Sequence, residues 1–287
     1  MMKIVSTASA HHITWAQRPI MQDTYDKLKQ YCMKSTNYAA GQTVNDELAQ
    51  IHDNIPQALS VRSAIMRQKI IKNQHKINAR MANIAREYRS KDIAKLSQKY
   101  DYPPLSLLRS ILIHSGQNES KLYNVFSGKT KPETVLSGRD LAQYHAAGLI
   151  DAESNFDQQT IMKIALDNEA LFVDYFKGLG IKLKTEQDLI TEQTKELGAA
   201  HLTPDILFVD DVVINGARVH WIDFKNYAGT PVNFLYASNA AQAHKYAAHW
   251  GPGAICYRWS YVEDLALPGA ILLDGSALPI NYIPKVI

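Results

Sequence analysis

The spacing of apolar residues changes along the chain, and with it the secondary structure it predicts. Through the first half, apolar positions recur every three or four residues, the period of amphipathic helices. Residues 90–114 read as a helix pair: Ser90 caps a helix over 91–100, a turn follows at 101–103, and Pro104 opens a second helix at its first position. Ile93, Ala94, Leu96, Leu105, Leu108, Ile111 and Leu112 supply a shared apolar core, leaving Ser106 and Arg109 exposed on the second helix. That is helix-turn-helix grammar. A looser version spans 43–71, turning near Asn54-Ile55-Pro56.

After residues 148–155 the grammar shifts. A helix over 157–178 places Ile161, Ala165, Phe172 and Phe176 on one apolar stripe, and Glu169 falls on that same stripe. Residues 206–209 form a short continuous apolar run, the mark of a buried strand, and Asn215-Gly216 between two β-rich runs predicts a type I′ hairpin. Ser238 caps a helix ending at Trp250, with Gly251 and Pro252 as stop signals, and strands follow at 254–259 and 269–273. The expectation is an α+β or α/β chain in two parts: a helical, helix-turn-helix-like region over 1–155 and a mixed domain over 156–287.

Composition narrows the class. The 287 residues are 46% hydrophobic and 21% charged, as in globular proteins, and the net charge of +3 is too small to identify a partner. The distribution says more. Residues 62–99 hold eleven Lys or Arg against Glu87 and Asp92 only, the footprint of a phosphate-binding surface. Arg62, Arg67, Lys69, Lys72, Lys76, Arg80, Ser106 and Arg109 are therefore candidate nucleic-acid contacts. A solvated helix face explains the same charge equally well. Two distant cysteines, Cys32 and Cys256, allow neither a zinc site nor a disulfide framework, which points to a reducing compartment, cytoplasm or nucleus. There is no secretory h-region in residues 1–20 and no run of 18 apolar residues, so no membrane association is expected.

The chemistry concentrates in Thr203-Pro-Asp205 and in Val219-His-Trp-Ile-Asp223-Phe-Lys225. Alternation along a strand points Val219, Trp221, Asp223 and Lys225 one way. An aspartate and a lysine ending an apolar strand are costly unless they serve each other or a ligand. Asp205 at the entrance to the neighbouring strand adds a second carboxylate. Two carboxylates and a lysine at strand ends make a site for Mg²⁺ or Mn²⁺ with a positioned positive charge beside it. Glu169, on the buried face of its helix, would share that metal. Gln242 and Tyr246 lie four residues apart on one helix face.

These motifs, in this order, resemble the PD-(D/E)XK nuclease superfamily and, within it, the TPD-motif family. Pro204-Asp205, Asp223-Phe224-Lys225, Glu169 and the Gln242-x-x-x-Tyr246 pair match its motifs, as do Tyr227-Ala-Gly229, Trp250-Gly-Pro-Gly253 and Gly269-Ala-Ile-Leu-Leu273. The family's animal member carries Glu-Ser-Lys where this chain has Asp223-Phe224-Lys225. The resemblance implies a restriction-endonuclease-like αβββαβ core and a metal-dependent nuclease. Asp205, Asp223, Glu169 and the Phe224 carbonyl would hold the metal, Lys225 would assist the attacking water, and Gln242 and Tyr246 would guide the strand. DNA is the expected substrate, with RNA as an alternative, and a codanin-like protein is an implied partner. A nuclease-fold scaffold that binds nucleic acid or protein without cutting is the competing reading. His201 precedes the motif closely enough to approach a phosphate, while His11, His12 and His220 read as surface or packing residues.

Overall fold

The computed structural model describes residues 2–7, 10–154 and 158–284. In chain order its elements are strands β1 (Met2–Ser6) and β2 (His11–Trp15), then helices α1 (Gln22–Lys34), α2 (Gln42–Ala49), α3 (Ile55–Tyr88), α4 (Ile93–Tyr100), α5 (Pro104–His114), α6 (Glu119–Phe126), α7 (Gly138–Gly148) and α8 (Gln158–Gly178). There follow β3 (Leu183–Thr185), α9 (Glu186–Leu197), β4 (Ile206–Phe208), β5 (Val212–Ile214), β6 (Ala217–Arg218), β7 (Trp221–Lys225), α10 (Asn233–Trp250), β8 (Gly253–Tyr257) and β9 (Ala270–Asp274). No helix among the described residues is long and apolar enough to cross a membrane. The mixture of helix and sheet agrees with the α+β expectation.

The chain forms two compact units. One comprises Met1–Asp26, Pro56–Val61 and Lys163–Pro284; the other is built mainly from Lys27–Ile55 and Arg62–Met162. This differs from a cut at residue 155, and the expected helical character of 1–155 fails at its start. β1 and β2 belong to the carboxy-terminal unit, where β2 runs parallel to β5 in a sheet of order β1-β2-β5-β6. The reason is local. The expected hairpin forms, with Asn215 at φ 51° and Gly216 at φ 85°. Asn215 then uses its side chain to bind β2: its Oδ1 accepts from the Trp15 N–H at 2.8 Å and its Nδ2 donates to the Trp15 carbonyl at 2.9 Å. Ile13 and Trp15 are thereby carried into the core beside Phe176, Val212 and Ile214.

The second sheet has the order β3-β4-β7-β8-β9, antiparallel through β7 and parallel beyond it. Strand β7 alternates as expected. Ile222 and Phe224 join the core with Phe172 and Phe176 of α8, the Phe172 and Phe224 rings stacking at 4.8 Å. Trp221 meets Tyr246 of α10 edge-on at 5.2 Å. Two starts differ from expectation. The α10 helix begins at Asn233 rather than after Ser238, because Phe234 to Ala237 continue its helical run back to the buried Val232. The expected first residue of α8, Asp157, lies outside the described residues.

In the helical unit, α4 and α5 form the expected pair around Ile93, Leu96, Leu105, Leu108, Ile111 and Leu112, all buried. The turn is made at Asp101, which adopts a left-handed conformation (φ 48°) at the end of α4. Here the cap differs: Asp92, not Ser90, precedes the helix, because the Ser90 hydroxyl and N–H both donate to the Glu87 carbonyl and close the end of α3. The looser pair also appears, as α2 and α3.

Contact with a buried indole leaves one glycine no room for a side chain. A Cβ at Gly253 would lie 2.1 Å from the indole of the fully buried Trp221, whose Nε1–H donates to the Gly251 carbonyl at 2.9 Å. Gly253→Ala should therefore destabilise the protein by about 1–3 kcal/mol, the usual range for overpacking a core. Urea denaturation followed by tryptophan fluorescence reads the loss.

Candidate active site

The site is assembled at the end of β7. The antiparallel register Ile206↔Ile222 sets Asp205, just before β4, opposite Asp223. The Phe224 N–H donates to Asp205 Oδ2, so the carboxylate is held by the strand beside it. Asp223 is 3% exposed. It is ion-paired with Lys225 and accepts a hydrogen bond from Gln242 Nε2 at 3.1 Å. Lys225 Nζ donates to Gln242 Oε1 at 2.8 Å, and the other Gln242 N–H donates to the Tyr246 hydroxyl at 3.1 Å. The helix α10 thus brings Gln242 and Tyr246 together with Asp223 and Lys225. The Gln242 amide is engaged in orienting that pair.

Glu169 arrives from α8, and a residue the sequence reading missed arrives from α9. One carboxylate oxygen from each of Glu169, Glu186 and Asp205 lies within 4.8 Å of the others. Thr203 Oγ1 donates to Glu186 at 3.4 Å. A signal for Glu186 was present: Thr185-x-x-Asp188 forms a complete capping box, which marks a helix start and puts Glu186 in its first turn. The pairing of β3 with β4 then carries that turn to the site.

Electrostatics follow from burial and crowding. Burial, reinforced by Glu186 and Asp223 and opposed by Lys225, pushes the Glu169 carboxyl up to about 7. Asp205 is raised well above the carboxylate range by burial, then by Asp223 and Glu169. Burial also raises Asp223, against the pull of Lys225. For Lys225 burial acts downward, but Asp223 and its other anionic neighbours outweigh it, so the ammonium holds its proton more tightly than usual. Four carboxyl groups thus face one cation. This donor set suits a hard divalent ion: an ion about 2.0–2.6 Å from each oxygen fits within a 4.8 Å triangle of carboxylates.

The residue before Glu169 and the residue after Lys225 are tied together by a polar network. Asn168, fully buried beside Glu169, accepts from the Ile283 N–H at 2.7 Å and donates to the Ile283 carbonyl at 3.0 Å and to Asn226 Oδ1 at 3.2 Å. Asn226 follows Lys225 and also accepts from Arg258 Nη1 at 2.8 Å. The Arg258 guanidinium lies over the rings of Trp259 and Tyr282. This network fixes α8 against the end of β7.

The candidate nucleic-acid contacts lie in the helical unit and separate into three groups. Arg62 is 3% exposed, ion-paired with Glu153 and bonded to the Asn37 and Ala39 carbonyls. Lys69 is 4% exposed, bonded to the Ser35 carbonyl and paired with Asp101 at 2.8 Å. Both are interior struts rather than surface contacts, because α3 turns them inward. Ser106 shares a hydrogen bond with Ser154, and Arg109 is half-buried beside Glu119 and Tyr123. Arg67, Lys72, Lys76 and Arg80 are exposed. Among the histidines, His11 pairs with Asp210 at 3.1 Å and His220 packs against Gly251, while His201 is exposed.

Two outcomes test this geometry. A carboxyl raised from 4.5 to about 7 on folding contributes stability that is complete below 4.5 and lost as pH rises through 7. In chelator, the melting temperature of Glu169→Gln should therefore gain on the wild type between pH 5 and 8 (about the span of that titration). Asn168→Ala should cost about 1–3 kcal/mol for each buried polar group it strands, measured by urea denaturation.

Comparison with known proteins bears on the same segment. A family model described as "Protein of unknown function TPD sequence-motif" matches residues 148–275. "Uncharacterized protein L539" of Acanthamoeba polyphaga mimivirus is 32% identical over 114 residues, 38% of this chain and 40% of that protein. The chain thus matches well under half the length of this viral relative. "CDAN1-interacting nuclease 1" of Xenopus laevis is 26% identical over 233 residues, 72% of this chain and 73% of that protein. No solved structure matches the chain. The segment that carries Glu169, Glu186, Asp205, Asp223, Lys225, Gln242 and Tyr246 is therefore the one similar to the TPD-motif family.

Proposed function

We propose that the protein is a divalent-metal-dependent nuclease of the PD-(D/E)XK type, hydrolysing phosphodiester bonds in DNA. The observation that carries this reading is the convergence of Glu169, Glu186 and Asp205 within 4.8 Å, beside a buried Asp223–Lys225 pair. A purely structural ion pair needs no further carboxylates, and crowding them raises the cost of charging each one. The name of the Xenopus relative supports the same activity.

In this reading Glu169, Glu186, Asp205, Asp223 and the Phe224 carbonyl are the ligand candidates for Mg²⁺ or Mn²⁺. The bound ion supplies an acidified water and neutralises charge on the phosphate. The protein's own groups set the geometry. Asp205 is oriented by the Phe224 N–H, and Lys225 is aimed by Gln242 Oε1 and Asp223. Because its neighbours hold it protonated, Lys225 acts as a donor that orients the attacking water and stabilises developing negative charge, not as a base. Tyr246 accepts from Gln242 and is itself buried, so in this reading it positions the amide that orients Lys225. A codanin-type protein partner belongs to this reading because the Xenopus relative is named for one.

The test is cleavage of labelled single-stranded, double-stranded and flapped DNA, and of RNA, in Mg²⁺, Mn²⁺ or EDTA. Cleavage in metal should fall at least about a hundredfold in Asp205→Asn and in Lys225→Ala, consistent with losing a preorganised electrostatic group. Glu186→Gln should weaken the apparent affinity for metal more than the rate at saturating metal. Cutting that survives EDTA, or that both variants retain, would rule out this mechanism. A wild-type protein that binds nucleic acid yet cuts none of these substrates would favour a binding scaffold.

A further inference from the structure

The helical unit sorts its positive charges into engaged and unengaged groups. Arg62 and Lys69 are buried in ion pairs, and Lys91 and Lys99 both bind Glu87. Lys72, Lys76 and Arg80 are exposed on α3 with no ion-pair partner among the described residues. They are four residues apart, so they form one stripe with about 6 Å of helix rise per step.

That stripe borders a cleft. Asn73, Lys76 and Arg80 of α3 and Lys99, Tyr100 and Asp101 at the end of α4 line a cavity of about 240 Å³. The one carboxylate in this lining is already neutralised: Asp101 pairs with Lys69 at 2.8 Å and accepts from the Tyr38 hydroxyl at 2.8 Å. Asn73 donates to the Asp101 carbonyl at 3.3 Å, holding the left-handed turn that shapes the floor. Lys99 is likewise ion-paired, with Glu87, which it shares with Lys91. The cleft is therefore left with the uncompensated charges of Lys76 and Arg80, one a mobile ammonium and one a planar fork suited to two oxygens of a phosphate.

We propose that this cleft between α3 and α4 is a phosphate-binding site that takes a backbone phosphate of a nucleic-acid strand, with Lys76 and Arg80 as its direct contacts and Lys72 reaching the next phosphate. Binding on the helical unit is thereby assigned to α3 rather than to α5, where a helix-turn-helix reading would put it. The α5 candidates are engaged elsewhere, Ser106 with Ser154 and Arg109 with Glu119. The inference does not depend on cleavage. It concerns affinity alone.

The experiment uses the full chain carrying Asp205→Asn, in EDTA, with fluorescein-labelled single-stranded and duplex DNA and single-stranded RNA. Fluorescence anisotropy gives the dissociation constant across a salt series. Adding Lys76→Ala and Arg80→Ala should weaken binding at least tenfold and reduce the slope of log K against log salt by about 0.7–0.9, the loss of one phosphate contact. Arg109→Ala should leave both unchanged. Because Lys76 and Arg80 are exposed, the melting temperature should not move. The proposal is overturned if the double variant keeps the wild-type slope, if no nucleic acid binds, or if millimolar inorganic phosphate stabilises the protein through Arg80 while nucleic acid ignores it. Because binding is read in EDTA on Asp205→Asn, its failure leaves the cleavage reading to its own assay.

Discussion

Burying Asp223 and Lys225 together at the end of β7 is the constraint from which the candidate site follows. An isolated charge in such a position is costly, and breaking a buried pair costs more than the pair contributes when intact. The surroundings answer that cost group by group. Gln242 accepts from the lysine and donates to the aspartate, Tyr246 accepts the remaining Gln242 N–H, and Trp221 packs against Tyr246. Gly253 must then lack a side chain so that β8 can approach the indole. The position of α10, the parallel pairing of β7 with β8 and the arrangement of one ion pair are a single packing problem.

A second tension sits beside the first. Glu169, Glu186 and Asp205 are brought together where burial and the neighbouring acids raise the affinity of Glu169 and Asp205 for protons. Nothing in core packing requires this. The chain holds the acids in place through groups that do not themselves carry the charge: the Phe224 N–H for Asp205, the capping box for the helix that bears Glu186, and Asn168 for the helix that bears Glu169. An arrangement that sacrifices stability locally and secures it with a separate polar network is what a preorganised ion-binding site demands.

The helical unit shows why a count of charges differs from a charged surface. The same dense basic segment supplies interior struts, at Arg62 and Lys69, and an exposed stripe, at Lys72, Lys76 and Arg80. In a long helix only the direction of each side chain separates these roles. Direction is set by what packs against the helix.

What the sequence determined by itself was local. Period marked α4, α5, α8 and α10, though not the caps expected at Ser90 and Ser238; the Asn215-Gly216 turn appeared where positive φ was required, and alternation along β7 correctly set Phe224 apart from Asp223 and Lys225. The pairing of acid and lysine on one strand face was legible because both sit within five residues of chain. Three decisions belonged to the tertiary structure alone. The first was the recruitment of β2, with β1 paired beside it, to partners that lie 200 residues away in sequence. The second was the arrival of Glu186, on a helix that periodicity did not reveal. The third was the inward turning of Arg62 and Lys69. Each depends on contacts between segments remote in sequence, and the free energy that decides them comes from shared burial and long-range hydrogen bonds, which no short window of residues contains.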